Sequence, residues 1–175
     1  MRKRAVISPL IAGAAVTVLA CPVPASAADT PVTVQVSSGT LDIAVPSGPV
    51  NLGTVTVSSS PQTVSNQLGN ITVTDGRGGN TGWTVTANAV DFTGPQNISV
   101  SAPGSSSYTA PNASVTGTAT VTPSNLSALY PPAPVQVATD VSGINSATWN
   151  PTISLTLPAN ALAGSYSSTI THSVS

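Results

Sequence analysis

Charge is nearly absent from this chain. Of its 175 residues only 5% are charged, against roughly 25% in an average soluble domain. The basic residues are Arg2, Lys3, Arg4 and Arg77, so no basic tract lies beyond residue 4 and electrostatic binding to nucleic acid is not expected. One cysteine, Cys21, and one histidine, His172, exclude a disulfide framework and a His/Cys zinc site. Glutamate is missing and the five aspartates are scattered, so no pair of carboxylates marks a glycosidase. Aromatic residues make up 3%. The composition is not that of a disordered chain, which combines low hydrophobicity with high net charge: here 40% of residues are hydrophobic and the formal net charge is -1. Ser, Thr and Asn must therefore supply the polar surface.

Residues 1–27 read as a secretory signal peptide. Arg2, Lys3 and Arg4 form the positive start, and Ala5 to Ala20 form the apolar stretch. Pro22 and Pro24 break a helix, and Ala25-Ser26-Ala27 offers small residues for cleavage between Ala27 and Ala28. The apolar stretch falls short of the roughly 20 residues of a membrane span. A rival reading takes Val18-Leu19-Ala20-Cys21 as a lipoprotein box with Cys21 acylated. Cleavage would remove three of the four basic residues and the cysteine. Residues 28–175 would then carry Arg77 against Asp29, Asp42, Asp75, Asp91 and Asp140, with no membrane span.

Within residues 28–175 the dominant signal is apolar residues alternating with Thr or Ser, the period of a half-buried strand. It runs through Val32, Val34 and Val36; Leu41, Ile43 and Val45; Val55 and Val57; Ile71 and Val73; and Trp83, Val85 and Ala87. Ile98 and Val100, Val115, Val121, Val135 and Val137 continue it. Ile153, Leu155 and Leu157 come next, then Tyr166, Ile170, His172 and Val174 close it. Val and Thr are stiff at χ1 and suit a pleated surface. Gly- and Pro-rich turns separate the runs. About ten short strands with one apolar face each predict an all-β chain, a single antiparallel β-sandwich of the Ig-like, Greek-key type. One weak helical hint lies at Ser124 to Leu129.

Chemistry is sparse. Any Ser-His-Asp arrangement would need His172, which the alternation places beside Ile170 and Val174 as a half-buried strand-end side chain. Asp75-Gly76-Arg77-Gly78-Gly79-Asn80 reads as a hairpin loop, with Gly at positive φ and Asp75 paired to Arg77 or capping backbone N–H groups. Its single carboxylate falls short of the several oxygens calcium takes. Trp83 and Trp149 are the largest apolar side chains; core filling is favoured for Trp83 over a sugar-stacking face. Tyr108 and Tyr130 are expected in loops and exposed. Tyr166 suits a tyrosine corner whose hydroxyl bonds back to the preceding loop. Leu157-Pro158-Ala159-Asn160-Ala161 lacks the hydrophobic tail and basic end of a sortase signal. No enzyme signature, cofactor motif or metal-ligand set emerges.

"LGNITVTDGRGGNTGWTVTANAVDF", Leu68 to Phe92, resembles the first half of the WxL domain of Gram-positive surface proteins. "PANALAGSYSSTITHSV", Pro158 to Val174, resembles the closing hairpin of that family. The two Trp-X-Leu motifs of the family would fall on Trp83-Thr84-Val85, with Val for Leu, and on His172-Ser173-Val174, where the Trp is missing. The sequence looks more like an actinobacterial relative than a low-GC member. The resemblance implies a secreted β-sandwich held non-covalently on the cell wall through peptidoglycan, often beside other surface proteins. Asp75, Arg77, Trp83, Thr84, Val85 and His172 would be the residues for wall or ligand binding. The alternative expectation is a structural, adhesin-like protein that assembles through strand edges, and a secreted hydrolase is a remote third.

Overall fold

A computed structural model describes residues 29–175. The expected cleavage site at Ala27–Ala28 and the candidate lipidation site Cys21 lie outside the described residues. The chain divides into two units at Gln35/Val36, and each is described by itself. Of the first, Asp29–Gln35 are described; they have no regular secondary structure, and Val32 and Val34 are exposed. Among the described residues no helix is long and apolar enough to cross a membrane.

The second unit is all-β, with no helix among the described residues. Its strands are β1 (Leu41–Ala44), β2 (Gln62–Gln67), β3 (Ile71–Asp75), β4 (Trp83–Ala89), β5 (Ser106–Thr109), β6 (Ser114–Pro123), β7 (Ala133–Trp149), β8 (Thr152–Leu157) and β9 (Ile170–Val174). They form two antiparallel sheets, as the alternation predicted. The smaller has the order β2-β8-β5. In the larger, β7 is the spine: β6 pairs along one side, while β3 and β4 share the other. β3 takes Asn145–Trp149 and β4 takes Ala133–Ala138, so the two lie end to end along a single 17-residue strand. β1 flanks β3, and β9 flanks β4.

Alternation explains the layering. β3, β4 and β8 each bury every second side chain, as a pleated strand with one face on a core must. Ile71, Val73, Val85, Trp149, Ile153 and Leu155 from the two sheets meet in that core with Tyr108 and Leu129. Thr occupies many of the outer positions, and Thr72 and Thr148 hydrogen-bond across β3 and β7 at 2.9 Å.

Four expectations are corrected by the structure. The runs at Val32–Val36 and Val55–Val57 form no strand, because alternation supplies an apolar face but no partner to pair with. Ser124 to Leu129 is not helical: Leu126 and Tyr108 exchange backbone hydrogen bonds of 2.9 and 3.0 Å, which commits the segment to an extended bridge. Tyr108 is not an exposed loop residue but fully buried on β5, whereas Tyr130 is exposed as expected. The 76–82 segment is not a hairpin loop either, since β3 and β4 pair with β7 and not with each other.

Candidate functional site

Two constellations bring the chemistry-bearing side chains together. The first sits where β3 gives way to β4. Asp75 ends β3 with its side chain 1% exposed. Its carboxylate accepts from Arg77 Nε at 2.9 Å, Arg77 Nη2 at 3.0 Å and the Arg77 backbone N–H at 3.1 Å. Arg77 Nη2 also donates to the Gly82 carbonyl at 3.1 Å, so one guanidinium closes the segment on itself. The bidentate pair holds the Asp75 carboxyl below its usual range, with the Asn145 amide beside it adding to the effect. Gly78 and Gly79 take positive φ, and Gly79 accepts a backbone hydrogen bond from Gly143 of β7.

Trp83 opens β4 at 2% exposure and donates its indole N–H to Asn145 Oδ1 at 3.1 Å. Its ring offers no face for a sugar to stack upon. Val85 is fully buried, and Thr84 pairs through its backbone with Ser175. Asp75, Arg77 and Trp83 therefore form a latch through Asn145. Both carboxylate oxygens of Asp75 are occupied by Arg77, which leaves the loop no free carboxylate for a cation. Among the described residues no cluster of His, Cys, Asp and Glu could hold a metal ion.

The second constellation is separate from this latch. Tyr108, fully buried, accepts a hydrogen bond from Trp149 Nε1 at 3.0 Å and lies 3.2 Å from His172 Nε2. An indole N–H only donates, so the Tyr108 hydroxyl proton needs an acceptor, and His172 Nε2 is the one within reach. This fixes the imidazole as the tautomer protonated on Nδ1. Burial pushes the His172 pKa down to about 4 and the Tyr108 pKa up to about 12, so both are neutral at physiological pH. Among the described residues no serine hydrogen-bonds to this histidine. Its hydrogen-bonding partner is a buried phenol.

His172 borders a groove of about 990 Å³. One side is a strap, residues 45–58, which has no regular secondary structure. The other carries Val64, Phe92, Leu155, Leu157, Tyr166 and Ile170. The Tyr166 hydroxyl donates to the Leu162 carbonyl at 2.7 Å, the bond back to the loop that the tyrosine-corner reading predicted. Sequence reasoning missed Asn145 and Tyr108, the two residues that organise these sites. Asn145 faces Asp75 only through the β3–β7 register, and Tyr108 lies in a Ser-rich stretch with little apolar alternation.

In comparisons with known proteins the chain matches no family model, no curated protein and no solved structure.

Proposed function

We propose that this is a secreted bacterial cell-surface protein that binds peptidoglycan non-covalently. The observation that carries the reading is the fate of Arg77. The sole cation among the described side chains other than a titratable histidine is bonded to a buried carboxylate. The outer faces of the sheets are rich in Thr, Ser and Asn. Hydroxyls and amides exchange water for glycan hydroxyls without desolvating a charge. The resemblance of Leu68–Phe92 to WxL domains and the signal-like residues 1–27 support the same reading. Binding, not catalysis, is the activity proposed. Isolated sacculi mixed with the purified protein test it: co-sedimentation is expected, and a protein left in the supernatant across salt and pH sinks the proposal.

A second reading is favoured by one strand. Among the described residues β6 pairs with β7 on one side and with no strand on the other, and its ten residues carry no charge. Edge strands are usually guarded by lysine, proline or a bulge that turns the edge away. β6 has irregular register at Gly117 and Pro123 at its end, but Thr116, Thr118, Thr120 and Thr122 leave it without electrostatic defence. On this reading copies assemble edge to edge. Light scattering that grows with concentration would support it, and a strictly monomeric protein would oppose it.

A further inference from the structure

Among the described residues that line the groove beside His172 there is no Asp, Glu, Lys or Arg. Its inner wall is aliphatic and aromatic, with Phe92, Leu155 and Leu157 from the core and Val64, Leu68 and Ile170 half-buried around them. The strap on the other side is tethered at its middle and at its far end. Asn66 Nδ2 donates to the Asn51 carbonyl at 2.8 Å, and the Asn160 N–H donates to the Ser58 carbonyl at 2.8 Å. Between these tethers Thr54, Val55, Thr56 and Val57 make no backbone hydrogen bond with any described residue. A groove of about 990 Å³ lies at the upper end of the roughly 300–1,000 Å³ typical of small-molecule sites.

Asn51, Thr54, Thr56, Gln62, Ser167 and Thr169 also line it, and His172 adds a ring donor. His172 Nε2 is taken by Tyr108, which leaves Nδ1–H as the free donor of the ring. Nδ1 has no partner among the described residues and is not among their buried unpaired atoms, where only Gln136 Oε1 stands. It belongs to a partly exposed side chain that borders the groove. Such a site would penalise any ionised ligand, because no countercharge offsets its desolvation.

We propose that the groove between the 45–58 strap and the sandwich binds a neutral, long-chain aliphatic molecule whose hydroxyl or carbonyl oxygen accepts a hydrogen bond from His172 Nδ1. The chain lies along Val64, Leu155 and Leu157, and the oxygen sits at the His172 end. This site is independent of wall binding: sacculi can be retained whether or not the groove is filled.

The test uses the mature protein and the neutral fluorophore N-phenyl-1-naphthylamine, followed by competition with dodecanol, dodecanoate and dodecylammonium. Saturable binding of one probe per chain is expected, with dodecanol displacing it at least tenfold better than either ion. Leu52→Asp, on the strap and outside both sheets, and Val64→Trp, which fills the groove from β2, are each expected to weaken the probe at least tenfold. Unchanged circular dichroism would verify their folds. His172→Phe should keep the probe but lose severalfold in dodecanol affinity. Non-saturable uptake, equal displacement by the ions, or undiminished binding in folded Leu52→Asp and Val64→Trp would each overturn the proposal.

Discussion

His172 Nε2 is bonded to a buried phenol, and this ties the charge state of the ring to the fold. Its pKa falls from 6.5 to about 4 on burial, so between those values the unfolded chain binds the proton more readily than the folded one. Stability contributed by the neutral ring is fully present above about pH 6.5 and is lost as pH falls toward 4. The shift corresponds to at most about 3 kcal/mol. Urea denaturation at pH 7 and pH 5 is expected to show a clear loss of stability at the lower pH, and His172→Phe should flatten that difference. Asp75 does not confound this window, since its lowered pKa places its own loss at still more acid pH. The two tryptophans test the same interior. Both are 2% exposed, so native emission should be blue-shifted and resistant to iodide, in Trp149→Phe as in the parent. Trp149→Phe also deprives Tyr108 of a donor and should cost about 1–2 kcal/mol in urea midpoint analysis.

The elements show how far alternation reads a fold. Period-two patterning located β1, β3, β4, β8 and β9 because each buries one face against a shared core. It could not distinguish these from Val55–Val57, whose pattern is as regular but whose backbone has no partner. Pairing is a long-range property, and nothing local in Asp75–Asn80 reveals that β3 and β4 continue along one neighbour instead of folding back. The Asp75–Arg77 pair was legible because it spans two residues; its contact with Asn145 was not, because it spans a register. Glycine substitutions can separate the parts of this junction. A Cβ on Gly82 would strike the Ala138 carbonyl of β7, so Gly82→Ala should destabilise by about 2 kcal/mol or more. Gly78 faces open space and suffers only from its φ of 71°. Gly78→Ala should cost about 1 kcal/mol, and chemical denaturation of the two variants would show this order. A reversed order would mean that the strands do not lie end to end along β7.

For the whole molecule the scarcity of charge becomes a statement about how it can hold a partner. Attraction between exposed charges weakens as the Debye length falls from about 10 Å at 0.1 M salt to about 3 Å at 1 M. A protein held by a basic patch would elute from a wall over that range. Here Arg77 is committed to Asp75, and the remaining described aspartates are dispersed through the sequence. Retention on sacculi, if it rests on hydroxyl and amide contacts, has little long-range attraction to lose. The fraction bound should change by less than about twofold between 0.1 M and 1 M sodium chloride. It should also survive Arg77→Gln in any variant population that remains folded, because the guanidinium is engaged by Asp75 and the Gly82 carbonyl at the β3–β4 junction. Salt elution, or loss of binding in folded Arg77→Gln, would instead assign the wall contact to ion pairing at the one arginine among the described residues.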